Sequence, residues 1–530
     1  MESYDVVIVG YGPTGCMLAL KLGCCGRRVL VLERQEAGYP LPRAAHLDDE
    51  VCRMLQGVGI PPTALPDVIE PYEDFYEWRA ADGEPLLRLD WRGRGPSGWN
   101  VSNFFHQPAL EARLHELVTK TGNVTVRRGH RAVSLLNGPD DVTVEVIADS
   151  AAYKVCGRYP VGADGANSLV RQWTGTAMDE AGYFSDWLVV DLVPEAALAI
   201  EPPALQICDP RRPTTLVPAG PGRRRWEFMR RFDEDPAAFG TASTAWELLR
   251  PWGVTQRNAS LARHAMYTFQ ARWAQEWRSG RLLLAGDAAH QMPPFAGQGM
   301  CSGLRDAMNL YWKLDLVLGG ADDTLLDTYG PERSGHVRDF ISFSMELGDL
   351  ICATDPEAVR TRDARMKAAA AAGSQPPPRP LPRLGPGLHT GQECAGTLAP
   401  QGVVQRQDAK GLLDDVIGPG GALIGSAAAL AGVTGAQRSE LAALGTRVVA
   451  FSETPRAGTV VDADGTHTSW LAGYGAQAFL VRPDFYAFGA VTADLTAPDL
   501  VEQYLACLRS PRGTQPHSRK ERDEPWRPMS

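Results

Sequence analysis

Basic charge is what this chain is short of. Lys and Arg number 53 against 63 Asp and Glu, a formal net charge of −10, so there is no electrostatic footprint for nucleic acid or an anionic membrane. Clusters such as Arg223-Arg224-Arg225 are too small to reverse that balance. No apolar run reaches the roughly 18 residues a membrane span needs, and the first strand pattern begins at Tyr4, leaving no room for a signal peptide. A cytoplasmic location is expected. The ten cysteines are scattered, with Cys24 and Cys25 adjacent and no C-x-x-C. That excludes a zinc site or dithiol motif and fits small buried thiols in a reducing compartment, so no metal is expected. With 44% hydrophobic and 22% charged residues the chain is neither disordered nor fibrous. At 530 residues it is too long for one core, and roughly 150 residues per domain predicts about three units.

The amino terminus carries the first informative pattern. Tyr4 to Val9 is a short β-branched run with both faces apolar, as expected of a parallel strand covered on both sides. Gly10-Tyr11-Gly12-Pro13-Thr14-Gly15 follows and opens a helical pattern from Cys16 to Leu22. Gly10 permits a tight turn, Gly12 lets backbone approach a pyrophosphate, and Gly15 allows close helix–strand packing. A helix starting at Pro13 and Thr14 offers amide N–H groups to phosphate. A second strand, Arg28 to Glu33, ends in a carboxylate beside Arg34, roughly 20 residues on, where it accepts from a ribose 2′-hydroxyl and would repel a 2′-phosphate. FAD or NAD is expected there rather than NADP.

Two later stretches repeat the strand–turn–helix theme. One runs from Tyr159 through Asp164 to Arg171. In the other, a strand at Leu282–Ala285 leads into Gly286-Asp287, a loop stiffened by Pro293 and Pro294, and Gly297-Gln298-Gly299 before a helix beginning at Met300. Asp287 is suited to a ribityl hydroxyl, and the amides at Gly297 to Met300 to the negative charge of a reduced flavin ring. The first motif would thus hold the ADP half, and the distant one the flavin half, of one FAD.

These motifs resemble the class A flavoprotein aromatic hydroxylases of the p-hydroxybenzoate hydroxylase fold, and most closely their 3-(3-hydroxyphenyl)propionate and phenol hydroxylase branch. The likeness is carried by G-Y-G-P-T-G, by P-R-A-A-H-L-D-D-E (Pro42 to Glu50), by H-Q-P-A-L-E-A-R-L from His106, by G-A-D-G-A-N-S-L-V-R, and by G-D-A-A-H-Q-M-P-P-F-A-G-Q-G-M with D-A-M-N-L-Y-W-K-L after it. It extends from Tyr4 to about Phe340, and more weakly to Leu508. The resemblance implies that Glu33 binds the adenosine ribose, that Arg43 and Gln107 line the FAD channel, that Asp164 sits near the pyrophosphate and the passing nicotinamide nucleotide, and that Asp287 holds the ribityl chain. Pro293, Pro294 and Gly297 would form the loop facing the flavin C4a. The residues alone favour a solvated loop charge for Arg43, a helix start for Gln107 and, about equally, a turn former for Asp164.

The implied fold is mixed α/β and α+β: a Rossmann-like FAD-binding domain over 1–180 and 271–368 interrupted by an antiparallel substrate-binding sheet over 181–270. An Ala/Pro-rich linker over 369–400 follows, including Pro376 to Pro378, then a thioredoxin-like domain over 401–508 and a tail over 509–530 of disordered composition. Candidate substrate residues are Gln206, Cys208, Leu216, Glu227 and Met229, although alternation alone does not say which face points at the flavin and core packing explains each singly. Arg211-Arg212 and Arg223-Arg224-Arg225 could clamp a carboxylate, but solvated turn charges fit them better. His46 and His106 read as structural histidines, and no phenol base is identified. The thioredoxin-like part has no cysteine pair, leaving packing or contacts between two copies of the chain as its role.

The activity the resemblance implies is monooxygenation: NADPH or NADH reduces the flavin, O2 adds at C4a, and the hydroperoxide passes oxygen to a small phenolic substrate. No second G-x-G-x-x-G is expected, which fits transient nicotinamide binding. The same scaffold leaves open epoxidation or Baeyer–Villiger action on a larger polyketide. A halogenase lacks its W-x-W-x-I-P, a dehydrogenase leaves Gly286 to Gly299 unexplained, and a non-catalytic FAD-binding interaction protein is the alternative of a different class.

Overall fold

The computed structural model describes residues 1–38, 42–138, 140–149, 151–374 and 379–509. Pro376 to Pro378 and the tail beyond Arg509 lie outside the described residues.

The β-branched run at the amino terminus forms the strand Glu2–Val9 at the centre of an eight-stranded sheet. Its neighbours are Val29–Glu33 on one side and Ala151–Gly162 on the other, both parallel, with Ile8 opposite Val31 and Val161. The sheet continues in parallel to Val124–Arg128 and Leu282–Leu284. Helices Pro13–Cys24 and Gly299–Leu318 pack on each other beside this sheet, and Val6, Val7, Ile8, Met17, Leu18 and Leu304 are buried in the common core. The two glycine motifs, 276 residues apart from Gly10 to Gly286 by number, thereby both follow the carboxy ends of parallel strands in one sheet.

A second eight-stranded sheet runs in the order His290–Gln291, Ala259–Ala274, Met178–Pro194, Arg224–Met229, Thr214–Pro218, Ala204–Ile207, Phe75–Arg79, Pro85–Asp90. It is antiparallel except where Ala204–Ile207 runs parallel to Phe75–Arg79. The sequence analysis places this sheet within 181–270; its last two strands come instead from residues 75–90, more than a hundred residues before the strand Ala204–Ile207 that they join. One face packs Leu188, Val190, Leu216, Trp226 and Phe228 against helix Ala242–Leu249. The other face looks back at the first sheet.

Helices Tyr329–Ile351 and Pro356–Ala371 lead to a carboxy-terminal unit. Its seven strands order as Ala409–Leu412, Val403–Arg406, Thr459–Asp462, Arg447–Phe451, Ala422–Ser426, Ala478–Val481, Ala487–Val491. The segment before it does not run free: Leu384, Leu388 and Ala399 are buried. A buried ion network joins the unit to the rest. Arg482 bonds Glu332 at 2.7 Å and Asp484 at 2.6 Å, Lys313 meets Glu332 at 2.7 Å, and Arg53 meets Asp414 at 2.7 Å.

Candidate active site

Between the two sheets lies a cavity of about 1000 Å³ that runs from the strand end at Glu33 to the inner face of the second sheet. Each end is built by a different physical device.

At the first end, helix Pro13–Cys24 begins at Gly12 with no side-chain cap, so its first amide donors have no partner of their own within the helix. The three glycines are not equivalent. A Cβ on Gly10, where φ is +101°, would stand 2.3 Å from the Ala163 carbonyl oxygen, and one on Gly15 would stand 2.2 Å from the Gly10 carbonyl oxygen. A Cβ on Gly12 would meet nothing within 4 Å, because it would enter the cavity. Glu33 lies at the same end; its carboxylate accepts from the backbone N–H of Tyr11 and Gln35, both at 2.9 Å. Arg34, Arg128, His130 and Arg131 line this part as well.

The middle of the channel is closed by loops that distant residues hold. Gln107, at the start of helix Gln107–Lys120, accepts from the backbone N–H of Arg43 at 2.9 Å and of Ala44 at 2.7 Å. Asp164 is a turn former: its carboxylate accepts from Leu169 N–H at 2.7 Å and caps the start of the helix that follows, while still lining the cavity. Asp287 is exposed to the same space, and the protein enclosing it raises its carboxyl against the opposing pull of His290 and Arg43. Behind it, Asp306 accepts from Gly286 N–H at 3.0 Å and Arg333 at 2.9 Å and pairs with His290 at 2.7 Å.

The loop Pro293 to Gly297 is stiffened by its prolines and by Ser344, which donates to the Pro293 carbonyl at 2.6 Å. Pro294, Gly297, Gln298, Gly299 and Met300 line the cavity, where helix Gly299–Leu318 starts. Arg305 anchors that start by donating to Gln298 at 2.9 Å, Asp48 at 2.5 Å and Glu50 at 2.6 Å. Gly15 and Gly286 do not line the cavity; Gly286, with φ of +62°, packs on Thr14.

At the second end the wall is aromatic. Tyr76, Trp91, Phe104, Tyr267, Phe269 and Phe295 surround the space, with the Tyr76 and Trp91 rings 4.7 Å apart. His46 joins them, bonded to Ser102 at 3.0 Å, and burial pushes its imidazole down to about 4, so it is neutral. Of the expected substrate residues, Gln206 and Glu227 line the cavity and three do not. Leu216 points to the opposite face, since side chains alternate across a strand and its neighbours Thr215 and Val217 take the inner one. Cys208 and Met229 are on the inner side but packed away among Trp78, Phe104 and Trp187. Arg225 is no solvated turn charge: it is buried against Asp191 at 2.7 Å. The alternation Tyr267-Thr-Phe269 was a readable signal for the aromatic wall, whereas Trp91 and Phe104 lie in segments that carried none.

The chain matches the model of the FAD binding domain family over residues 3–344. The chain belongs to that family. Residues 396–506 match the HcaD C-terminal domain. The chain is 38% identical over 512 residues to the "Probable NADH-specific resorcinol 4-hydroxylase" of Rhodococcus jostii (strain RHA1), covering 96% of both. It is 34% identical to the 3-(3-hydroxy-phenyl)propionate/3-hydroxycinnamic acid hydroxylase of Mycolicibacterium gilvum (strain PYR-GCK), covering 96% of this chain and 92% of the other. Its fold matches the structure of aklavinone-11 hydroxylase with FAD and aklavinone at a TM-score of 0.77 and 24% identity, over 96% of this chain and 99% of that one. The carboxy-terminal unit is thus an HcaD C-terminal domain built on a seven-stranded sheet.

The residues in place fit an FAD. Uncapped amides at Gly12, a glycine whose absent side chain leaves the cavity open, and a carboxylate at the end of the second strand are the donor set of a dinucleotide site. Contrary to the expectation of no second G-x-G-x-x-G, Gly93-Arg94-Gly95-Pro96-Ser97-Gly98 repeats the glycine spacing, but it forms a bridged turn, Arg94 to Asn100, rather than a strand–turn–helix unit. Among the described residues no helix is long and apolar enough to cross a membrane.

Proposed function

We propose that this flavoprotein hydroxylates a small phenol with NADH as reductant, and that the ring is held in the aromatic chamber at the second end of the cavity. The observation that carries this reading is continuity: one space joins the dinucleotide end at Gly12 and Glu33 to a chamber walled by Tyr76, Trp91, Phe269 and Phe295. A ring in that chamber lies beside the loop Pro294 to Gly297, where the resemblance puts the reactive edge of the cofactor. The resorcinol hydroxylase relative supports both the dihydroxybenzene class and NADH.

Gly12, Thr14 and Glu33 would hold the adenosine diphosphate part, Asp287 the ribityl chain, and the amides from Gly297 to Met300 the flavin ring. Bound and reduced, FAD would activate O2 for ring hydroxylation. The protein's own part is geometric and electrostatic. The start of helix Gly299–Leu318 places partial positive charge at the cavity wall. Arg305, fixed by Asp48 and Glu50, keeps Gln298 and the turn before that helix in one arrangement. The aromatic wall excludes water and orients a flat ring, the positioning on which transfer of an oxygen atom depends.

The test is incubation of the purified protein with NADH, resorcinol and ¹⁸O₂. One ¹⁸O atom per product molecule supports the reading, and an unaltered resorcinol pool with NADH consumed would overturn it.

A further inference from the structure

We propose that Glu227 selects the ring this enzyme accepts: its carboxylate takes a hydrogen bond from a substrate hydroxyl and turns away phenols that carry a carboxylate side chain. The inference rests on the phenol-hydroxylase reading and narrows its substrate class to neutral, hydroxyl-bearing rings.

The strand registers set a row of residues across the inner face of the second sheet, Gln206 beside Thr215, Thr215 beside Glu227, and Glu227 beside Val189. All four line the cavity. The polar neighbours satisfy one another: Thr215 Oγ1 donates to Gln206 Oε1 at 2.7 Å, Tyr76 Oη donates to the same oxygen at 3.3 Å, and Gln206 Nε2 donates to the Thr214 carbonyl at 3.1 Å. Among the described residues no hydrogen bond reaches the Glu227 carboxylate. The Arg225 guanidinium is 3.8 Å away, beyond hydrogen-bond reach.

That arginine is committed elsewhere. Its Nε and Nη2 donate to Asp191 at 2.7 and 3.1 Å, Nη1 to the Arg43 carbonyl at 2.7 Å, and Nη2 to the Pro42 carbonyl at 3.0 Å. The Glu227 side chain is 13% exposed and faces the cavity, so its oxygens are open to a ligand, and a substrate hydroxyl supplies the donor the protein does not. A substrate carboxylate supplies none and adds a like charge where little water screens it. Burial raises the Glu227 carboxyl above its ordinary value, with Arg225 opposing. The charged and titratable groups around it are Arg225 on its own strand, Asp191 on Met178–Pro194, Arg263 and Tyr267 on Ala259–Ala274, Tyr76 on Phe75–Arg79, and His46 in the cavity wall.

The test uses the FAD-loaded enzyme and follows the flavin absorbance change as resorcinol, 3-(3-hydroxyphenyl)propionate or the methyl ester of that acid is titrated in. Wild type is expected to bind resorcinol, and to bind the ester more tightly than the acid, since the two share a shape and differ in charge. Glu227→Gln is expected to weaken resorcinol about 10- to 100-fold and to narrow the gap between ester and acid, with FAD content unchanged. Wild-type enzyme that binds acid and ester equally overturns the inference without any variant. Resorcinol bound and hydroxylated with an affinity that Glu227→Gln does not alter also overturns it, and leaves the phenol reading standing. Binding of none of the three overturns that reading and this inference together.

Discussion

Substituting Gly12 by valine separates cofactor binding from folding. Gly12 has φ of −73° and ψ of −175°, a conformation any residue adopts, and a Cβ there has no atom within 4 Å. The apoprotein of Gly12→Val is therefore expected to match wild type within about 0.5 kcal/mol. In the holoprotein the added methyl groups would occupy the space proposed for the pyrophosphate. FAD at 100 times its dissociation constant stabilises a protein by about 2.7 kcal/mol, which raises the melting temperature of a domain of a few hundred residues by about 5–10 °C. Wild type should show that rise when FAD is added to the apoprotein, and Gly12→Val should show none. Gly10→Val is the contrasting case: with positive φ and a clash against the Ala163 carbonyl, it should fail to fold with or without FAD. A Gly12→Val protein that is stabilised by FAD as wild type is would show that the dinucleotide does not cross this glycine.

Three further outcomes follow from the same geometry. Asp287→Asn, which keeps the shape and removes the charge, should weaken FAD about tenfold with little change in apoprotein stability, measured by fluorescence titration of the apoprotein. Arg482→Met leaves Glu332 and Asp484 buried without their shared partner and should cost about 3–5 kcal/mol, read as a lower urea midpoint. Burial works to raise the Glu332 carboxyl, but Arg482 and Lys313 overcome it and hold it well below its ordinary 4.5. A lowered carboxyl stabilises the fold above its unfolded value and stops doing so as pH falls, so the stability Glu332 contributes should be complete above pH 4.5 and decline below it. Arg482→Met should flatten that acid limb in pH-dependent urea melts; an unchanged limb would show that Glu332 is not its source.

Most of the cofactor end was legible because its chemistry is local. A turn that must bring backbone against phosphate needs glycines at fixed spacing, and Gly10, Gly12 and Gly15 declare it within six residues. Gln107 and Asp164 were harder, since each acts through backbone amides brought near by folding, Gln107 on Arg43 and Ala44, Asp164 on its own turn. The substrate end was least legible. Period-2 alternation divides a strand into two sets but does not say which set is inside, so Leu216 stood among the candidates although it packs in the core on the opposite face. Strands Phe75–Arg79 and Pro85–Asp90 join the sheet by a parallel pairing with Ala204–Ile207 that no local pattern encodes. The stretch D-A-M-N-L-Y-W-K-L carried the resemblance without a reason until Asp306 was seen to hold the Gly286 turn, and Asn309 and Lys313 to hold Glu332.

If one cavity joins bound FAD to a phenol, the phenol should govern the oxidation of NADH. The most direct test is NADH oxidation by the purified protein in air, with and without resorcinol, with bound flavin, hydroxylated product and hydrogen peroxide all measured. The expected result is a yellow protein whose NADH consumption resorcinol accelerates, with one product molecule formed per NADH. A colourless protein, or oxidation that yields only peroxide whether or not resorcinol is present, would contradict it.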